Sequence, residues 1–108
     1  MGIRLDKPWR PLDAAADLPG QLGVYQLADD AGDVLFIGYA GGRSAFGLRS
    51  EVGDARTRVP AATCYRVEIT TAYLTRYQEL LMLHQADHGC LPANNEPYPG
   101  LGRLSPSG

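Results

Sequence analysis

Two short strings constrain this chain more than any other feature: "GVYQL" from Gly23 to Leu27 and "LFIGYA" from Leu35 to Ala40. The segment between them, "ADDAGDV", has the composition of a hairpin turn. Asp30, Ala31, Gly32 and Asp33 supply it, because Gly and Asp tolerate the positive φ that tight hairpins need. Apolar residues alternate on both sides, with Val24, Leu27 and Ala28 on one arm and Val34, Phe36 and Gly38 on the other. Two strands joined this way set Tyr25 beside the Phe36 to Tyr39 segment. Such an aromatic cluster serves either as core or as the floor of a site.

The rest of the chain reads as one domain. An N-terminal arm, 1–21, contains Pro8 and Pro11, which disfavour regular structure, and a short helix that Asp13 caps and Pro19 and Gly20 stop. Trp9, the sole tryptophan, pins this arm by burying a large ring. After the hairpin, Ser44 caps a helix through about Val52, with Phe46, Leu48 and Val52 as its apolar contacts and Gly53 with Asp54 as its end. "CYRVEITT" then alternates, with Tyr65, Val67 and Ile69 on one face and Arg66 and Glu68 on the other. That pattern predicts a half-buried third strand from Cys64 to Thr71. The clearest helix is "TAYLTRYQELLMLHQADHG", where Leu74, Tyr77, Leu81 and His84 recur at helical spacing, joined by Leu80 and Leu83, and Gly89 is the stop. A tail over 96–108 is rich in Pro, Gly and Ser and reads as extended. The expected fold is α/β or α+β: a small, mainly antiparallel sheet of about three strands flanked by helices.

Composition narrows the class. A chain of 108 residues, 44% apolar and 20% charged, is a globular domain with a modest core. No apolar run approaches a membrane span, and "MGIRLDKPWRPL" lacks the apolar stretch of a secretory signal. Cys64 and Cys90 are too few for a disulfide framework, so reduced thiols and a cytoplasmic location are expected. A net charge of −2 argues against strong non-specific binding to nucleic acid, where phosphate contacts need Lys and Arg. The charge is uneven, however. Between Val34 and Arg66 there are five arginines (Arg43, Arg49, Arg56, Arg58, Arg66) against Glu51 and Asp54. A locally basic face and a mixed surface are both open.

The order Gly-Val-Tyr, hairpin, Phe-Ile-Gly resembles the GIY-YIG endonuclease family, in which two strands carry Gly-Ile-Tyr and Tyr-Ile-Gly. The resemblance extends over 22–95 through Arg49 in "SAFGLRSEV", Glu79 in "TRYQELLMLHQADHG", and Asn94 and Asn95 in "LPANNE". It implies a GIY-YIG nuclease-like fold and metal-dependent hydrolysis of a phosphodiester. On that reading Tyr25 is the base that activates water, Arg49 clamps the phosphate, and Glu79 holds Mg2+ or Mn2+. The chemistry is consistent with those residue types. A guanidinium forks onto phosphate oxygens, and a hard cation often takes one carboxylate and fills its other positions with water and phosphate. Two positions depart from the family pattern: Phe36 stands where the family has its second tyrosine, and Arg49 lies farther from Gly38 than usual. They leave a second reading beside the enzyme, a catalytically degenerate interaction or nucleic-acid-binding module. A partner protein for targeting suits a domain this small.

Each motif residue also has a plain structural reading. Tyr25 suits a strand, Arg49 a solvated helix face, Glu79 (on a face shared with Arg76 and Leu83) a salt bridge or plain solvent exposure, and Asn94 and Asn95 a turn or cap. His84 and His88, four apart on one helix with Cys90 close by, make a third class, a small zinc site. The Gly-rich "YAGGRSAFG" preceding a helix offers backbone N–H groups to an anion.

Overall fold

The computed structural model describes Leu5, residues 7–42 and residues 46–96. Its centre is the expected hairpin. Strands β2 (Gly23–Ala28) and β3 (Val34–Ala40) pair antiparallel, with Tyr25 opposite Gly38 and Leu27 opposite Phe36. Asp29 organises the turn. Its Oδ1 accepts the N–H groups of Ala31 and Asp33 at 3.0 and 3.1 Å, and Gly32 takes a φ of 85°, a left-handed value that costs glycine nothing.

The fold is α+β: among the described residues β1 (Arg10–Pro11), β2, β3 and β4 (Cys64–Ile69) form one antiparallel sheet in the order β1-β4-β2-β3. Strand β4 (Cys64–Ile69) is the third strand expected from the sequence. The fourth, β1 (Arg10–Pro11), lies where the prolines argue against regular structure. It is two residues long and sits at the sheet edge beside β4, a position in which proline's missing N–H is tolerated. A 3₁₀ helix, Leu12–Asp17, follows it without a side-chain cap, so the expected cap by Asp13 is not made.

Helices cover both faces. Helix α1 (Gly47–Arg58) and the 3₁₀ helix pack on the face that carries Tyr25, Leu27 and Tyr65. Helix α2 (Tyr73–His88) packs on the face that carries Val24 and Ile37. Strand alternation creates both cores from the same residues, since Val24 and Tyr25 must point to opposite sides. Helix α1 runs six residues past its expected end at Val52. A helical Gly costs only about 1 kcal/mol, and Ala55 and Val59 continue the buried stripe of Leu48 and Val52. Burial therefore carries the helix through Gly53. Its expected cap, Ser44, lies outside the described residues. In α2 the buried residues are Leu80, Leu81 and Leu83, while Leu74 is 50% exposed. The expected stripe is thus buried at Leu80, Leu81 and Leu83, with Tyr77 packed against it, and departs only at Leu74. No helix among the described residues is long and apolar enough to cross a membrane.

The motif glycines have a steric cause. A Cβ on Gly38 would lie 2.4 Å from Cζ and Oη of Tyr25, because the tyrosine ring lies across that position. A Cβ on Gly23 would lie 2.1 Å from the carbonyl oxygen of Glu68 on β4. Overpacking of this kind costs about 1–3 kcal/mol. We therefore expect Gly38→Ala to lower stability in urea unfolding by about that amount. Gly23→Ala should cost more, because a ladder carbonyl cannot swing aside as a ring can. Gly53, with nothing within 4 Å of its Cβ position, should gain about 0.5–1 kcal/mol as alanine. An order other than Gly53 above wild type above Gly38 above Gly23 would contradict this packing.

Candidate functional site

A cavity of about 430 Å³ lies along the outer edge of β3. Three parts of the chain build it. The sheet gives Tyr25, Phe36 and Tyr39, helix α1 gives Glu51 and Arg58, and α2 with the segment after it gives Tyr77 and Asn94 to Glu96. The edge position explains how residues from both faces meet: Tyr25 and Phe36 come from the α1 side, while Tyr39 meets Tyr73 and Tyr77 of α2 on the other. Gly38 between them adds no side chain, which leaves the Tyr25 ring room to lie across β3.

Tyr25 is 1% exposed and packs at 6.0 Å against Phe36. Burial pushes its phenol well above the ordinary value near 10, and the Glu51 carboxylate adds to this, with Arg58 opposing. Ionisation of this hydroxyl is therefore disfavoured. The Arg58 guanidinium sits 5.8 Å from the Phe36 ring centroid, a cation–π contact that fixes it at the cavity wall.

Asn95 closes the site from the far side. Its Oδ1 accepts the Ile37 N–H at 2.8 Å, and its Nδ2 donates to the Ile37 carbonyl at 2.9 Å. The neighbouring Asn94 N–H donates to the Leu35 carbonyl at 2.9 Å. A side-chain amide has the donor and acceptor of a peptide, so Asn95 completes the edge strand as a further strand would. This clip sets Asn94 and Glu96 on the cavity wall.

The structure brings Tyr25 and the asparagine pair together but leaves the other two motif residues elsewhere. Arg49 is exposed on the first turn of α1, its guanidinium 5.4 Å from the ring of Phe46. Glu79 lies on the part of α2 that faces β4, where it pairs with Arg76. Arg76 is 11% exposed and also binds Glu68 at 2.8 Å. Burial works against its charge, yet hydrogen bonds to Glu68 and Glu79 outweigh this and raise its pKa. The salt-bridge reading of Glu79 is thus the one realised. Its carboxylate pairs with a guanidinium and is not among the residues that line the cavity. Of the arginines grouped in sequence, Arg56 pairs with Asp13 at 2.8 Å, and Arg66 binds Gln26 and stacks on Trp9 at 4.1 Å. Arg43 lies outside the described residues.

The zinc grouping does not assemble either. His84 donates through Nδ1 to the Cys90 carbonyl at 2.7 Å, and the Cys90 thiol turns to the His88 carbonyl. Gly89, with a φ of 78°, folds the chain back to make this cap. Burial holds His84 below its ordinary pKa, with the Cys90 carbonyl opposing. Among the described residues, no three His, Cys, Asp or Glu side chains converge as a metal site.

Over residues 3–87 the sequence matches the family described as Domain of unknown function (DUF7508). The chain belongs to that family. No curated protein matches it. The DUF7508 match contains Tyr25, Glu51, Arg58 and Tyr77, while the Asn95 clip lies beyond it. Sequence reading missed Glu51, Arg58 and Tyr77. A signal for the first two was present, because positions 51 and 58 are seven apart and share one helix face, but ending α1 at Val52 hid it.

Two outcomes follow for this DUF7508 domain. Asn95→Ala removes both bonds to Ile37 and strips the β3 edge, so unfolding free energy should fall by about 1–3 kcal/mol. Asn95→Asp should not restore it, because a carboxylate accepts from the Ile37 N–H but faces the carbonyl with like charge. The second outcome concerns pH. A phenol with a raised folded pKa contributes stability that is fully present below about pH 10 and is lost as pH rises beyond it. Denaturant unfolding should therefore show a steeper fall above about pH 10 for the wild type than for Tyr25→Phe. Parallel curves would mean that Tyr25 ionises freely.

Proposed function

We propose that this chain is a GIY-YIG-like module that binds nucleic acid at the β3-edge cavity without cutting it. The observation that carries the reading is the fate of Glu79. The residue that the resemblance assigns to the metal pairs instead with Arg76, and α2 turns Tyr77 toward the cavity in its place. The burial of Tyr25 supports the same reading, since it disfavours the phenolate that a base would draw on. Support for binding comes from aromatic rings on which bases stack, with Arg58 held beside them. Cys64 and Cys90 are both free thiols, which suits a reducing cytoplasm as the place of action. A partner protein would supply targeting.

A second reading keeps the enzyme. Glu51 and Glu96 both line the cavity with Tyr25, so a carboxylate from α1 or from the tail, rather than Glu79, would serve the chemistry.

One experiment separates the two. Labelled single-stranded, duplex and branched DNA and RNA are mixed with wild type, Glu79→Gln and Glu51→Gln, with Mg2+ or Mn2+. Binding is followed by anisotropy and cleavage on gels. The non-cutting module predicts binding without cleavage, unaffected by Glu79→Gln. Its salt slope should be shallow, equivalent to about one or two phosphate contacts, because Arg58 is the one cation among the described residues that line the cavity. Arg58→Ala should weaken binding several-fold. Metal-dependent cleavage lost in Glu79→Gln would overturn the proposal, and cleavage lost in Glu51→Gln alone would establish the second reading.

A further inference from the structure

The large apolar side chains exposed among the described residues are Tyr39, Phe46, Ile69 and Leu74. All four sit at one end of the sheet, where β2 begins. Tyr39 pairs with Val24 and Ile69 with Gly23. Leu74 lies in the first turn of α2, and the lead into that helix is tied to the same end by the Thr70 N–H, which donates to the Leu22 carbonyl at 3.0 Å. Phe46 is placed there by a close neighbour, since the Leu48 N–H donates to the Gln21 carbonyl at 2.8 Å. Phe46 is the most open of the four, at 61%, and the Arg49 guanidinium lies over its ring. This end therefore presents an aromatic ring with a cation attached. Exposed apolar groups gathered at one place mark an interaction surface.

The opposite end of the sheet carries the complementary chemistry. There the turn between β2 and β3 holds Asp29, Asp30 and Asp33, the last two exposed. Beside the turn, where Cys64 of β4 pairs with Ala28, lies a cavity of about 330 Å³. Its lining offers Trp9 and Pro11 as apolar contacts and sets the carboxylates of Asp29 and Asp30 against the guanidinium of Arg10. Asp33 adds a further carboxylate in the same turn. We propose that this cavity receives the Phe46 and Arg49 side chains of a second copy of the chain, Phe46 against Trp9 and Pro11 and Arg49 on Asp30. An aromatic anchor in an apolar cavity with an opposite-charge pair beside it is the composition that carries binding energy and fixes register in protein interfaces. The two ends lie about 17 Å apart along β2, at about 3.3 Å per residue, so no chain fills its own cavity. The two surfaces also differ, so the contact is heterologous. Each copy offers one of each, and association continues head to tail instead of closing as a symmetric pair. A single anchored contact of this size is weak, and its charge pair is screened by salt. None of Phe46, Arg49, Trp9 and Asp30 lines the β3-edge cavity, so the contact does not depend on what binds there.

The test is sedimentation of the full-length protein from micromolar to millimolar concentration, at low and at high salt. The average mass should rise past that of a dimer, and less so at high salt. Arg49→Glu, Asp30→Lys and Phe46→Ala should each weaken association about tenfold or more. All three side chains are exposed, and thermal melting checks that each variant folds. The sharpest arm mixes Arg49→Glu with Asp30→Lys in equal amounts. Association should return, because every contact in an alternating chain then joins opposite charges. A mixture that stays dissociated would overturn the pairing of Arg49 with Asp30. Association that stops at a dimer, or that Asp30→Lys leaves unchanged, would overturn the head-to-tail contact. A wild type that stays monomeric to millimolar concentration would overturn it as well.

Discussion

The ring of Tyr25 lying across Gly38 is the contact on which the rest of this structure depends. It needs a residue without a side chain directly opposite on β3, and the register provides it. It also fixes which face of the hairpin becomes the larger core, since Tyr25 and Leu27 then meet α1 while Val24 meets α2. A one-residue slip would move every one of these side chains to the other face. The same packing leaves a gap at the sheet edge, and the cavity is built around that gap. Core and site are therefore two sides of one steric arrangement.

The motif residues thus have packing causes of their own. Gly23 and Gly38 are both demanded by close approach, of the β4 backbone in one case and of the Tyr25 ring in the other. Neither requirement involves catalysis. Phe36 keeps the aromatic contact with Tyr25 without a hydroxyl, and Arg58 rests on its face. Asn95 gains its role from the edge strand, where it satisfies both polar groups of Ile37. These contacts give each of the motif residues a structural cause.

The charged residues follow a different logic from the apolar ones. Glu68, Arg76 and Glu79 form a partly buried group between β4 and α2, on the sheet face whose alternation reads as polar. That face is covered by a helix all the same, because pairing meets much of the desolvation cost that lone charges would incur. The arginines grouped in sequence are distributed by the fold: Arg56 to Asp13, Arg66 to Gln26 and Trp9, Arg58 to the cavity. Local density of charge in a sequence does not translate into a charged face.

The hairpin, β4 and α2 were legible from residue pattern, because alternation with period two and a helical apolar stripe are set by neighbours a few residues apart. Strand β1 was not, since two residues carry no period, and the end of α1 was not, since long-range burial of Ala55 and Val59 outweighs the local signal at Gly53. By itself the sequence determined the class of fold and the pairing of Tyr25 with the Phe-Ile-Gly strand. Only the tertiary structure decided which polar side chains share a cavity. That depends on the phase of each helix over the sheet, which turns Glu51, Arg58 and Tyr77 inward and Glu79 toward Arg76, and no short-range pattern encodes it.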